Sequence, residues 1–244
     1  MKYLITFSYD GSKYSGYQKQ LDVNTVQSEL EKALTTINNS EFVSVVASGR
    51  TDACVHALNQ KAHFELSINI TEDKLKMALN SLLPKYIYVK DVVVVDPDFH
   101  ARFNTKTKEY MYKINIGEYN PIEVDYVYQY NKNLDIDKMK EAIQILEGTH
   151  NFKSFASADD VRDNYERTIF KTNIEIDNNI VTISFVGNGF LRYMVRNMVG
   201  TLIEIGEGKR TPNDINRILE AQDRKEAGKT APGEGLYLKE VQYK

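Results

Sequence analysis

The 244 residues contain a single cysteine and five prolines, and no apolar run approaches the roughly 20 residues that a membrane-spanning helix needs. One cysteine excludes an internal disulfide and agrees with a reducing compartment. The opening Met1-Lys2-Tyr3-Leu4-Ile5 runs straight into a strand pattern without a cleavable signal, so a cytoplasmic location is expected. Pro-rich linkers, low-complexity tracts and short internal repeats are also missing. There is no excess of positive charge either. A net charge of −3 argues against binding of nucleic acid through the global charge, so any RNA site must be a local basic cleft. What the chain does have is 42% apolar residues, enough to bury a full core as one large domain or two small ones.

The apolar pattern reads as alternating strands and helices. Tyr3, Ile5, Phe7 and Tyr9 alternate with Leu4, Thr6 and Ser8 in a first strand, and Asp10-Gly11 supplies a turn. Asn24 and Gln27 have the spacing of a capping box before Val26, Leu30, Ala33, Leu34 and Ile37 at helical intervals. Residues 42–47 read as a short buried strand, and Ala62, Phe64 and Leu66 as the face of another. Thr71 caps a second predicted helix bearing Leu75, Leu79 and Leu82, stopped by Pro84, and residues 87–95 are β-rich. The order β, α, β, β, α, β is ferredoxin-like. The second half repeats this logic: strands over 99–103 and 110–116, a helix carrying Leu134, Met139, Ile143 and Leu146, and a short strand at 152–156. A polar loop at 157–166 follows, then a hairpin across Asn178-Asn179, a helix over 191–204, a capped helix after Thr211-Pro212, and a last strand near 236–241. The expected class is α+β: two ferredoxin-like subdomains, 1–103 and 104–244, joined through a mainly antiparallel sheet with a catalytic cleft between them.

The stretch Ser48-Gly49-Arg50-Thr51-Asp52-Ala53-Cys54-Val55-His56-Ala57 places Asp52 on a turn between two strands. A carboxylate two residues from the permanent charge of Arg50 is favoured in its ionised form, which suits a nucleophile or base better than a proton donor. The plain alternative is a turn aspartate bonded to its own backbone. Arg196 lies in Phe190-Leu191-Arg192-Tyr193-Met194-Val195-Arg196-Asn197-Met198-Val199-Gly200, apolar around most of a helix. An arginine there either needs a carboxylate partner, for which Asp52 is the natural candidate, or snorkels to solvent. Alternation puts Tyr110, Tyr112 and Ile114 on one strand face. Around them Arg102, Lys106, Lys108 and Lys113 outnumber Glu109, a mixture of cations and aromatics suited to phosphate and base contact or to a solvated strand face.

Asp52, Cys54, His56 and His63 contain metal-ligand residue types, but His56 and His63, seven apart on an alternating strand, are expected on opposite faces, so no metal site is expected. No second acid accompanies Asp52 in its motif, which disfavours paired-carboxylate glycosidase chemistry.

Four motifs resemble those of the tRNA pseudouridine synthase A family: Tyr9-Asp10-Gly11 with Tyr14, Gly16, Tyr17, Gln18 and Gln20; Gly49-Arg50-Thr51-Asp52 with Val55 and His56; Phe190-Leu191 with Met194-Val195-Arg196 and Gly200; and Gly235-Leu236-Tyr237-Leu238. Cys54 departs from the pattern, standing where the family has glycine. If that glycine serves a left-handed backbone, cysteine adds strain of roughly 1–2 kcal/mol. The resemblance implies isomerisation of uridine to pseudouridine in the anticodon stem-loop of tRNA, typically at positions 38 to 40, on a base flipped from its stack. It implies Asp52 as nucleophile, Tyr110 as a catalytic residue that stacks on the base and removes its proton, Arg196 as a catalytic partner, and Arg50, Tyr110, Lys108 and Leu236 in substrate binding. It further implies no cofactor or metal, and a homodimer with each tRNA spanning both subunits. A non-catalytic RNA-binding protein or chaperone on the same fold is the competing class, against which the intact Asp52 argues.

Overall fold

The structure is a computed structural model and describes residues 1–243. By packing, the chain divides into two units, Met1–Lys106 with Tyr237–Lys244, and Thr107–Leu236. The sequence reading divided the chain at 103/104; here the division falls three residues later, and the last strand joins the first unit.

In the first unit β1 (Lys2–Tyr9), α1 (Val26–Ile37), β2 (Val46–Ala47), β3 (His56–Glu65), α2 (Glu72–Leu82) and β4 (Ile87–Val94) follow in the expected order. The strands lie β4–β1–β3 with β2 on the far side of β3, the ferredoxin-like order. Strand β10 (Leu236–Tyr243) pairs parallel with β3, Tyr237 opposite His56 and Leu238 opposite Ala57. The alternation read in β1 is real: Tyr3, Ile5, Phe7 and Tyr9 are all buried, as are Leu30 and Leu34 of α1 and Leu75 and Leu79 of α2.

Several local expectations are corrected. The capping box of α1 is Thr25 with Ser28, one residue beyond the predicted pair, because the Thr25 hydroxyl accepts from Ser28 N at 3.3 Å and Ser28 Oγ accepts from Thr25 N at 3.1 Å. Thr71 is the N-cap of α2 but makes no side-chain cap bond. Of residues 42–47 only Val46 and Ala47 join a ladder; Val43 and Val45 are buried without one, and Phe42 is exposed. Residues 99–103 form no strand, since histidine side chains take their backbone donors: His63 Nδ1 accepts from Ala101 N at 3.1 Å, and His100 Nδ1 from Arg102 N at 3.2 Å and Phe103 N at 3.3 Å.

The second unit contains β5 (Thr105–Asn115, from Thr107 onward), β6 (Tyr128–Gln129), α3 (Ile136–Gln144), β7 (Gly148–Asn151), β8 (Glu166–Asp177), β9 (Ile180–Gly187), α4 (Met194–Gly206) and α5 (Asp214–Ala221). Its strands run β5–β9–β8–β7 through antiparallel ladders, with β6 parallel to β5. The predicted hairpin is present, and Asn178 and Asn179 take φ of 48° and 66°, the left-handed pair that a two-residue turn between twisted strands demands. Residues 153–155 are a 3-10 turn rather than a strand. The helix predicted from 191 starts at Met194, because Tyr193 before it is left-handed at φ 62°. Around α4 nearly every residue is buried. The class is α+β with mainly antiparallel pairing. Among the described residues no helix is long and apolar enough to cross a membrane.

Candidate active site

Asp52 sits where β2 gives way to a turn that re-enters the sheet as β3, and the turn is pinned from beneath. The Gln60 side chain, fully buried in β3, donates from Nε2 to Gly49 O at 3.1 Å and accepts from Ser48 Oγ at 2.7 Å. The Tyr9 phenol at the end of β1 lies 2.8 Å from the Thr51 hydroxyl. Burial pushes the Tyr9 pKa up to about 12, with the Thr51 and Gln60 hydrogen bonds pulling the other way, so the phenol is neutral and free to donate at neutral pH. Tyr17 N donates to Thr51 O at 3.0 Å, and Val55 N to Asp52 O at 3.2 Å. The result is a turn whose floor is buried while Asp52 is half-buried and Arg50, Ala53 and Cys54 face solvent.

The Tyr-Asp-Gly motif abuts this turn. A Cβ on Gly11 would lie 2.0 Å from Val55 O, so only glycine admits the approach. Gly11 N donates to His56 Nδ1 at 3.1 Å; that nitrogen therefore carries a lone pair, and the imidazole stacks on Tyr237 with ring centres 4.7 Å apart. Asp10 Oδ1 is occupied by Ser12 N at 3.0 Å and Ser12 Oγ at 2.7 Å. Cys54 has φ 64°, so the glycine position of the motif is indeed left-handed.

His56 and His63 turn out to share a face of β3. Tyr9 lies opposite Ala57 and Phe7 opposite Gln60, so three residues of β3 span two of β1, and this bulge reverses the alternation on which the opposite-face expectation rested. They stand at opposite ends of the strand, roughly 20 Å apart at about 3.3 Å per residue. His63 is packed by His100 at 4.9 Å and Phe99 at 6.3 Å. Among the described residues no group of three or more His, Cys, Asp or Glu is placed to hold a metal ion.

In the second unit Tyr110 is buried, as are Tyr112 and Ile114 on the same face of β5. Its ring meets Phe190 edge-on at 5.1 Å. Lys108, half-buried, precedes it on that face, with Gly187 opposite. Arg196 projects from the first turns of α4; its Nε donates to Ala231 O at 2.7 Å and the guanidinium lies 5.1 Å from the centre of the Tyr193 ring. That carbonyl is in place because Gly200 leaves the helix surface bare: a Cβ there would fall 1.6 Å from Lys229 O. Gly228 N donates to Thr201 Oγ1 at 2.9 Å and Ala231 N to Arg196 O at 3.1 Å, laying residues 228–231 along α4. Asn197, wholly buried beside Arg196, bonds Phe155 O, Arg224 and Thr230. Leu236 is a buried residue at the start of β10.

Arg50 and Asp52 are thus together on one turn, and Lys108 and Tyr110 on one strand face, while Arg196 and Leu236 are set on α4 and β10. Sequence reasoning missed Tyr9, Thr51 and Gln60 as holders of the turn. The available signal was Gln60 itself, a lone amide on a strand face otherwise made of Ala57, Ala62 and Phe64.

A family model described as tRNA pseudouridine synthase matches residues 5–104 and 142–244. The chain is similar to proteins named tRNA pseudouridine synthase A from Geobacillus sp. (strain WCH70), 46% identical over 98% of this chain and 96% of the relative, and from Anoxybacillus flavithermus, 46% identical over 98% and 97%. A protein of the same name from Latilactobacillus sakei is 43% identical over 100% and 99%.

Proposed function

We propose an activity and a set of residue roles from one premise: the chain belongs to the tRNA pseudouridine synthase family. It is an isomerase that converts uridine to pseudouridine in tRNA. The observation that carries the assignment of roles is the turn at Asp52, which presents one half-buried carboxylate above a floor of satisfied buried hydrogen bonds. A site of that build suits a group whose aim matters.

The target is a uridine of the anticodon stem-loop, at positions 38 to 40. It leaves its stack before any side chain reaches it, and Arg50, exposed at the rim of the turn, contacts the opened strand. Asp52 attacks the nucleoside as the N-glycosidic bond breaks; the uracil rotates and rejoins the sugar through carbon, the bond to Asp52 is released, and the ring carbon loses a proton while the freed ring nitrogen gains one, so the product is an isomer of the substrate. Tyr110 stacks on the base and takes its proton. Phe190, edge-on to the Tyr110 ring, supports that role by fixing the ring plane. Arg196 supplies positive charge to the reacting groups, its guanidinium aimed by Ala231 O and Tyr193. Lys108 and Leu236 complete substrate contact. Substrate and product are isomers, so the reaction consumes no redox partner or group donor. The protein acts as a cytoplasmic homodimer, each tRNA engaging both subunits.

The test is incubation of the purified protein with an unmodified tRNA transcript and mapping of pseudouridine. Wild type should modify positions 38 to 40. Asp52→Asn should bind the same tRNA and form no product, since the isostere removes only the charge that does the chemistry. Turnover by Asp52→Asn within about tenfold of wild type would reject the nucleophile assignment, and binding without product in the wild type would favour the RNA-binding alternative.

A further inference from the structure

The turn that carries Asp52 is fastened by side chains that have no need to be polar for the fold alone. On β1 the buried face is Tyr3, Ile5, Phe7 and then Tyr9; on β3 it is Phe64, Ala62, Gln60 and Ala57. Apart from the Tyr3 hydroxyl, which donates to Ile70 O at 2.8 Å, the polar side-chain groups of these two faces lie beneath residues 48–52. There the Tyr9 phenol meets the Thr51 hydroxyl at 2.8 Å, and the Gln60 amide spans Ser48 Oγ at 2.7 Å and Gly49 O at 3.1 Å. Tyr9, Ser48, Thr51 and Gln60 are all buried, so each polar atom is satisfied only while the turn keeps one conformation. The bulge in β3 between Ala57 and Gln60 is what turns both of these residues toward the same face.

We infer that Tyr9 and Gln60 are positioning residues for the isomerisation: a buried clamp, closing on Thr51 and on Gly49 with Ser48, that sets the aim of the Asp52 carboxylate. The inference rests on the reading of Asp52 as the attacking group. The two anchors bracket Arg50, and Thr51 is bonded to its neighbour Asp52, so release of the Thr51 hydroxyl frees the backbone immediately before the carboxylate. On its other side Asp52 is held by Val55 N on its carbonyl. A displacement of about 1 Å at such a group costs on the order of a hundredfold in rate.

The experiment compares Tyr9→Phe, Thr51→Val, Thr51→Ser, Gln60→Met and the Tyr9→Phe/Thr51→Val pair with wild type and Asp52→Asn. Single-turnover rate, tRNA affinity and thermal midpoint are measured for each. Phe and Val remove one hydroxyl each at nearly constant volume. The expected result is a rate about 10- to 100-fold lower for Tyr9→Phe and Thr51→Val, with affinity within about twofold. Thr51→Ser, which keeps the hydroxyl, should return to within about threefold of wild type. The double variant should be no slower than the worse single, because both remove the same bond. Gln60→Met should lower the rate in the same direction. Wild-type rates in Tyr9→Phe and Thr51→Val alongside a lowered thermal midpoint would overturn the inference, since the clamp would then serve stability alone. Multiplying rate losses in the double variant would also overturn it. Asp52→Asn separates the two claims: if it is inactive while the clamp variants run at wild-type rate, only the clamp fails; if it is active, the reading of Asp52 fails and the clamp with it.

Discussion

Replacing Cys54 by glycine should make this protein more stable, and the gain can be worked from one dihedral angle. Cys54 is exposed with φ 64°. A side chain at that φ brings Cβ against the following carbonyl at a cost of roughly 1–2 kcal/mol, and an exposed thiol recovers none of it through packing. Glycine removes the clash but adds freedom to the unfolded chain worth about 0.5–1 kcal/mol. The balance is a stabilisation of about 0.5–1 kcal/mol, or roughly 1–4 °C in thermal midpoint for a chain of this length. The assay is a calorimetric or circular-dichroism melt of wild type, Cys54→Gly and Cys54→Ala. Alanine keeps the clash and should melt with wild type, whereas glycine should melt higher. The isomerisation rate of Cys54→Gly should stay within about threefold of wild type, since the backbone conformation is the same. A glycine variant that melts with or below wild type would refute the strain argument, as would an alanine variant that melts higher by the same amount.

Tyr110→Phe keeps the ring and removes the hydroxyl; the single-turnover rate should fall about a hundredfold at unchanged tRNA affinity, and a wild-type rate would end the proton-transfer role. Arg196→Met leaves Ala231 O without its side-chain donor and should cost about 1–3 kcal/mol in unfolding free energy. The Arg196–Asp52 pairing expected from the sequence is read in a cycle of Arg196→Met with Asp52→Asn, where coupling above about 0.5 kcal/mol sustains it and additivity removes it. His63 is held at a pKa of about 4, chiefly by burial and then by His100 and Lys2, below its ordinary 6.5. The unfolded chain therefore gains a proton as pH falls through 6.5 while the folded chain refuses it until about 4. That stability is present above 6.5 and is lost on acidification; urea midpoints should show wild type losing about 1–2 kcal/mol more than His63→Asn between neutral pH and about pH 4.5, and equal losses would refute it.

Much of this architecture was legible because alternation and helical spacing are written in single residues. Tyr3, Ile5, Phe7 and Tyr9 announce β1, and Asn178-Asn179 announces a hairpin whose turn needs two left-handed residues. What was not legible depended on partners distant in sequence. Val43 and Val45 have strand composition and are buried, yet composition does not say whether a ladder partner is present. Residues 99–103 look equally strand-like, but His63 and His100 hold the amides that a ladder would have used. The bulge opposite Tyr9 reversed the facing of His56 relative to His63, and no local pattern around Leu58 and Asn59 marks it. At the candidate site, Asp52 is proposed from the Gly49–Asp52 motif, and the structure adds that it stands on a turn between β2 and β3. Its supports, Tyr9 and Gln60, lie 43 and 8 residues from Asp52, and only the pairing of β1 with β3 brings them under one turn.

The parallel pairing of β10 with β3 has a consequence for synthesis. His56 and Ala57 acquire their β10 neighbours only when Tyr237 and Leu238 arrive. Between Lys106 and Tyr237 the ribosome adds roughly 130 residues, about 7–26 s at 5–20 residues per second. Through that interval the nascent first unit has the whole of the turn that carries Asp52, yet the strand edge beside His56 has no β10 partner and the imidazole lacks the Tyr237 ring on which it stacks. A chain interrupted anywhere before residue 237 keeps that edge unpaired, and an unpaired strand edge is a template for pairing with another chain.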